Sequence, residues 1–596
     1  MVFAGRSLCE PRLSPDGRRL AYVVSWGAES AIAICSLADG VEVFVTTTPA
    51  PPKGRTLSGG CFDWTPDGDA IIYSAVDANL WRQPAQGGPP TQLTTQRIDK
   101  PATCPAVSPN GRHVAYIVDQ QTVCVATLDN PAGTHTTVSS GTNSFALDPS
   151  WSADGEFLAW HEWDVPNMAW DESRWIVAPI TGDGDQLAFA ETDVQVQQPR
   201  FSPVGSDLAF LCDRSGWLNL TIISADRDAD RPLVDEPFEH GGPTWGAGQR
   251  SFAWSPDGRR LAYARNEAGF GRLVVIDIET GLSTQVARGC HGDLDWKSDT
   301  LVASRSGATT PTQIVVYDSV GWTRRLVARG PVAGFETSSG LVEPAAETFV
   351  GADGGTLHAL VYRPANLGHG GVICWLHGGP TDQWTVSFNP RLVWFVERGW
   401  TVVAPNVRGS TGYGRAYTQS ATGLWGEIDT ADVTAVLTAI VDRGWARADQ
   451  VVLMGGSAGG FTALNVLRHN PGIVAGTVVL YPLTDLFADD TWRFEAHYTA
   501  RLVGDLPGAE PAYRQRSPLH GAADLNGPIL ILHGSADRVV GVGQSEALAS
   551  AAVNAAVTLH IYEGEGHGWR LAATKLDELE RTETFLRRVA GLPLTP

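Results

Sequence analysis

The chain has 596 residues and a formal net charge of -21, with 43% hydrophobic and 18% charged residues. A length beyond one ordinary domain calls for two or more cores, and the acidity argues against nucleic acid or an anionic membrane surface as partner. No run approaches the roughly 18 apolar residues of a membrane-spanning helix, and Met1 to Pro11 shows no basic segment followed by an apolar one, so a cytoplasmic protein is expected.

The eight cysteines are scattered without a C-x-x-C pair. They read as reduced core thiols rather than a disulfide frame or a zinc site, and neither metal nor cofactor is expected.

The first half repeats. Leu13-Ser14-Pro15-Asp16-Gly17 returns as Trp64-Thr65-Pro66-Asp67-Gly68, Val107-Ser108-Pro109-Asn110-Gly111, Trp151-Ser152-Ala153-Asp154-Gly155, Phe201-Ser202-Pro203-Val204-Gly205 and Trp254-Ser255-Pro256-Asp257-Gly258. A degraded seventh copy is Trp296-Lys297-Ser298-Asp299. Successive copies are 51, 43, 44, 50 and 53 residues apart, with about 43 to the last. Pro presets the first central turn residue, Asp or Asn bonds back to the backbone, and Gly accepts positive φ. Alternating strands such as Arg19-Leu20-Ala21-Tyr22-Val23 follow each turn. One such unit cannot bury its own face, whereas blades stacked radially can, so a seven-bladed β-propeller over 1–335 is expected.

After the fourth turn, Trp160 to Trp175 is more aromatic and acidic than a blade hairpin needs. It is either a solvated surface loop or a wall for a substrate's amino group, with Glu162, Asp164, Trp170, Asp171 and Glu172 as candidate substrate-binding residues. Further on, Arg214 in Asp213 to Leu220 reads as a structural salt-bridge partner or a channel-facing cation.

From Leu357 on, apolar strands alternate with helical patterns, which implies a parallel sheet covered on both faces. The expected strands include 372–376, 401–404, 476–481, 528–532 and 557–562, with helices at 429–443 and about 574–590. Between them Val451-Val452-Leu453-Met454 reads as a short apolar strand running into Gly455-Gly456-Ser457-Ala458-Gly459 and then a helical pattern from Phe461 to His469. A G-x-S-x-G turn between strand and helix is the context of a nucleophile elbow.

Asp537 and His567 follow the last two strands, 80 and 30 residues further along in turn. Catalytic groups of such sheets lie beyond the strands' carboxyl ends, and the order Ser, Asp, His is that of an α/β-hydrolase domain, here expected over 336–596. Ser457 is then the nucleophile, His567 its base and Asp537 the group orienting the imidazole. Gly379, in His377-Gly378-Gly379-Pro380 after the strand ending at Leu376, and Ala458 supply candidate oxyanion donors.

A propeller followed by these motifs resembles the prolyl oligopeptidase family of serine peptidases, in the branch of acylaminoacyl, dipeptidyl and bacterial aminoacyl peptidases. The likeness rests on His377-Gly378-Gly379-Pro380, Arg408-Gly409-Ser410-Thr411-Gly412-Tyr413-Gly414, the Ser457 turn and the Asp537 and His567 loops. Val407 stands where relatives often have Tyr, and Phe461, also a candidate substrate-binding residue, follows the elbow glycines. The resemblance implies a peptidase that admits short peptides or aminoacyl amides because the propeller covers its site, and that cuts near the amino terminus. Acylaminoacyl, dipeptidyl and carboxypeptidase-type activities stay open, as do an esterase, an inactive propeller that binds partners, and the choice between monomer and homo-oligomer.

Overall fold

The computed structural model describes residues 5–593 except 28, 47, 53–58, 130–134, 142–143, 182–184, 225–229, 331–337, 367, 489–492 and 496. Two compact units divide the chain, one of Gly5–Gly307 with Pro311–Pro331, the other of Val332–Pro596 with Ala308–Thr310. The expected boundary between 335 and 336 lies outside the described residues. Among the described residues no helix is long and apolar enough to cross a membrane.

Seven four-stranded antiparallel sheets make up the first unit, each formed from four strands consecutive in the chain. This is the expected seven-bladed propeller. The repeated turn works as its sequence requires. Ser14 Oγ donates to Asp16 Oδ1 at 2.5 Å while accepting the N–H of Arg19 at 2.9 Å, and Gly17 takes φ +69°. Thr65 with Asp67 and Ser255 with Asp257 repeat the same bonds.

The apolar cores lie between neighbouring blades. The repeated Trp stitches those neighbours together: Trp64, Trp151 and Trp254 donate their indole N–H to the carbonyls of Arg12, Ala106 and Arg200 in the preceding blade. Carboxylates stitch in the other direction. Asp63 Oδ2 accepts the N–H of Val107 at 2.9 Å, and Asp295 of the seventh blade accepts that of Leu13 in the first at 2.8 Å. Leu8, Leu20 and Tyr22 pack there with Val302, Ile314 and Val316, so side-chain packing and this bond close the ring.

The innermost strands carry a feature that the motif did not announce. Glu10, Cys104, Asp148, Gln198 and Asp293 all have φ between +54° and +57°, at or beside register shifts in five blades. Such bulges re-aim side chains. Here they accompany a charged axis in which Arg12, Asp63, Asp148, Arg200, Arg250 and Asp295, from six blades, act on one another electrostatically. Burial, and next the Arg250 guanidinium, pushes Arg200 down to about 9.

The second unit is built on one eight-stranded sheet. Its strands are β1 (Ala345–Val350), β2 (Thr356–Tyr362), β3 (Val372–Leu376), β4 (Thr401–Asn406), β5 (Val451–Gly456), β6 (Gly476–Leu480), β7 (Gly527–Gly534) and β8 (Ala555–Tyr562). They lie in the order β1-β2-β4-β3-β5-β6-β7-β8, antiparallel through the β2–β4 pair and parallel beyond. Helices α1 (Ile428–Asp442), α2 (Ala458–His469) and α3 (Ala572–Val589) pack on the sheet. Central strands bury both faces, as their unbroken apolar runs demand. This is the expected α/β-hydrolase fold, and it brings the carboxyl ends of β3, β5, β6, β7 and β8 to one edge.

Candidate active site

Ser457 stands between β5 and α2 with φ +53° and ψ -122°, a backbone region that residues with a side chain rarely occupy. Its N–H donates to Leu480 O at 2.9 Å and its carbonyl accepts the N–H of Phe461 at 3.1 Å, which locks the turn. The glycines around it are sterically required. A Cβ on Gly455 would stand 2.2 Å from Gly459 O, and one on Gly459 only 2.4 Å from His377 O. α2 begins at Ala458, three residues earlier than the hydrophobic pattern suggests. The Ala458 N–H is therefore among the first-turn donors without an acceptor inside the helix, at the positive end of its dipole.

Asp537 and His567, predicted as partners, are hydrogen-bonded: His567 Nδ1 lies 2.7 Å from Asp537 Oδ2. An ionised carboxylate only accepts, so Nδ1 carries the proton and Nε2 is left as the basic nitrogen. The backbone N–H groups of Val539 and Val540 donate to Asp537 Oδ1 at 2.8 and 3.0 Å. Burial works to raise the Asp537 pKa, but His533, His567 and the Val540 N–H outweigh it and hold the group well below the usual carboxylate range.

His533, near the end of β7, was not singled out as a site residue. In the structure its Nε2 lies 2.9 Å from Val540 O and 3.4 Å from Asp537 Oδ2, while its Nδ1 meets Ser545 Oγ at 2.7 Å. It is fully buried and braces the Asp537 loop. Glu565 was also missed. Buried, it accepts the N–H groups of Arg570 and Leu571 at 2.8 and 3.0 Å, fixing the entry to α3, and its carbonyl accepts the N–H of Ala536 at 2.8 Å. That last bond ties the His567 loop to the Asp537 loop. An acid two residues before a histidine and just ahead of a helix was the available signal.

Tyr481 joins the two sides of the site. It follows β6 with φ +38°, its ring centroid lies 4.5 Å from that of His567, and a Cβ on Gly456 would stand 3.2 Å from its ring. The tyrosine thus bridges the elbow and the imidazole. A tyrosine at a strand end carries no motif, so only the fold could reveal it.

The loop holding Gly379 sits beside the elbow: a Cβ on Gly378 would be 3.6 Å from Ser457 Cβ. Gly379 has φ +115°. The Arg408 to Gly414 run supports this loop. Ser410 Oγ lies 2.8 Å from His377 Nε2, the Thr411 N–H donates to Asp382 O at 3.0 Å, and Arg408 pairs with Asp432 and Asp353.

The candidate substrate-binding residues are arranged otherwise than the sequence suggested. Arg174, opposite Glu162 in the next strand, donates to Glu162 Oε1 from Nε at 3.2 Å and to both oxygens of Asp164 at 2.6 and 2.9 Å. Trp160 also donates to Glu162 at 2.8 Å. Asp171 is buried and accepts the N–H of Met168 at 3.0 Å, and Glu172 accepts that of Asp193 at 2.9 Å. Trp170 is buried with its ring centroid 4.5 Å from Trp245. Strand register places Arg174 against Glu162 and Asp164 and pairs their charges, whereas Asp171 and Glu172 accept backbone N–H groups. Phe461 needs correction as well: it is fully buried against Trp425, at 4.3 Å between ring centroids, and lines no surface. Arg214 pairs with Glu191 and Asp230, the structural alternative.

Residues 386–592 match the family model described as the prolyl oligopeptidase family. Dipeptidyl peptidase family member 6 of Caenorhabditis elegans is 30% identical over 37% of this chain and 31% of its own length. Dipeptidyl aminopeptidase BIII of Pseudoxanthomonas mexicana is 30% identical over 37% and 33%. The chain spans about a third of the length of these two curated relatives. Among solved structures, a Mycobacterium tuberculosis puromycin-hydrolyzing peptidase is similar with a TM-score of 0.89 and 26% identity, over 99% of this chain and 96% of that one. A puromycin hydrolase follows at 0.88 and 26%, over 100% and 96%. The elbow, the Asp–His pair and the matching segment all lie in the second unit, which is similar to the prolyl oligopeptidase family over residues 386–592.

Proposed function

We propose that the protein is a serine peptidase that hydrolyses amide bonds of short peptides or aminoacyl amides near the amino terminus. The observation that carries this is the 2.7 Å Asp537–His567 bond at the strand edge that also presents Ser457 in its strained elbow. In this reading His567 Nε2 takes the Ser457 hydroxyl proton as Oγ attacks the carbonyl carbon, and the Gly379 and Ala458 N–H groups stabilise the oxyanion. Collapse of the intermediate expels the amine, which receives the proton from His567. Water, deprotonated by the same imidazole, then attacks the acyl-enzyme and releases the acid. Asp537 keeps the imidazole in the required tautomer throughout.

Similarity over nearly the whole chain to puromycin-hydrolysing proteins supports the aminoacyl-amide class. The propeller acts as a filter that admits only small substrates. A fluorophosphonate is expected to label Ser457, with the label lost in Ser457→Ala. p-Nitroanilides of free amino acids are expected to be cleaved faster than their N-acetylated forms. Cleavage of p-nitrophenyl esters with every anilide ignored would make the protein an esterase, and faster cleavage of acetylated anilides would make it an acylaminoacyl peptidase.

A further inference from the structure

The amino group of such a substrate needs a carboxylate, and those of the 162–172 region are already engaged. One carboxylate of the second unit is placed differently. Glu495 ends the short turn Arg493–Glu495 that precedes the helix Tyr498–Val503. The segment is anchored to the candidate oxyanion loop. Tyr498 is buried, and its hydroxyl accepts the N–H of Thr381 at 3.0 Å while also meeting Thr381 Oγ1. Thr381 lies two residues beyond Gly379. Trp425 N–H reaches Leu502 O at 3.3 Å, and Phe494 is buried beside Glu495 in the chain.

Glu495 is half-buried, and the charge of His567 reaches its carboxylate across the site. Among the described residues neither a Lys or Arg nor a hydrogen-bond donor pairs with it. Burial raises its pKa, and the field of His567 opposes the rise. A partly desolvated carboxylate next to reacting groups is stabilised by a cation that arrives with the substrate. The α-ammonium of an amino-terminal residue has that charge near neutral pH. Its nitrogen is also only about 2.5 Å from the carbonyl carbon of the same residue, as two bond lengths and the tetrahedral angle require. A site that releases single residues must therefore hold the ammonium next to Ser457 and His567, whereas one that releases dipeptides must hold it about 3.5 Å further out.

We propose that Glu495 is the specificity-determining residue that binds the free α-ammonium group of the amino-terminal residue, so that the enzyme releases single residues or opens aminoacyl amides. This rests on the peptidase reading above, but its test does not require turnover. In the full chain carrying Ser457→Ala, calorimetry is run with the amides of Ala, Leu and Phe and with their N-acetylated forms. The free amides are expected to bind more tightly. Adding Glu495→Gln is expected to weaken the best free amide about tenfold or more and to bring the ratio of free to acetylated affinity near one. Glu495→Asp is expected to restore part of the preference, which separates loss of charge from loss of fold. Equal weakening of both ligand forms, unchanged affinity in Glu495→Gln, or no binding of any free amide before Glu495 is altered would overturn the assignment. Tight binding of free amides by a protein that cleaves no anilide would instead sink the peptidase reading and leave the anchor standing.

Discussion

Along the propeller axis, guanidinium and carboxylate groups from six blades act on one another, with Arg12 only 2% exposed and Asp148 and Asp295 each 7%. In the second unit the sheet interior is mostly apolar, and the charged groups of interest stand beyond the strands, Asp537 and Glu565 in the loops after β7 and β8 and Glu495 in the turn Arg493–Glu495. The first arrangement distributes polar burial over many repeats, so each charge depends on neighbours in other blades. The second concentrates it at one edge, where strained backbone and paired charges mark the proposed catalytic site. Altering a charge should therefore have opposite consequences in the two units: lost stability in the propeller, lost rate in the hydrolase.

The sharpest test is Ser457→Ala. It is expected to lower kcat about 10⁶-fold, measured on the best anilide, with an unchanged melting profile. Asp537→Asn should cost about 10⁴-fold in kcat, since the imidazole is then held in the wrong tautomer. It also tests linkage. The folded Asp537 pKa is depressed, so its contribution to stability is complete above the ordinary carboxylate pKa of about 3.9 and is lost as the pH falls below it. The difference in Tm between wild type and Asp537→Asn should thus stay constant from pH 7 to about 5 and shrink only below about 4.

On the propeller side, Asp148→Asn can keep the oxygen that accepts the Gly248 N–H at 2.6 Å, and Asn tolerates the positive φ. It removes the charge beside Arg200 and Arg250. A loss of about 3 kcal/mol is expected, read as a lower Tm with kcat retained. A large fall in kcat with no loss of stability would break the division between the units.

The smallest effect concerns the fifth blade, whose turn has Val204, 49% exposed, where most of the others have Asp or Asn. Val204→Asp should give Ser202 Oγ the acceptor its counterparts have and raise stability by about 0.5–1 kcal/mol, read by thermal denaturation.

The propeller was legible because each turn records its own geometry in Ser, Pro, Asp and Gly. The elbow and the Asp and His loops were legible for the same reason: local backbone demands select residue types. What stayed hidden depends on register and tertiary packing. The bulges at Glu10, Cys104 and Gln198 have no common residue type, so no pattern marks them. Arg174 neutralises Glu162 only because two strands pair in one register. His533, Tyr481 and Glu495 gain their meaning from strands adjacent in the sheet or from a loop that returns to the site. The helix Pro390–Glu397 was readable but passed over. Asn389 accepts the N–H groups of Arg391 and Leu392, and Pro390 fills the first helical position.

The bond from Leu13 N–H to Asp295 has a counterpart in that from Val107 N–H to Asp63, yet the two are not mechanically equivalent. Blades two and three are also joined by the chain itself. Blades seven and one have no such link within the propeller, and among the described residues no strand is exchanged between them. The ring is a necklace fastened by a clasp, and the clasp is where separation releases the fewest constraints. Hydrogen exchange should therefore find the Leu13 amide opening more readily than its twin at Val107, even though the bonds differ by only 0.1 Å.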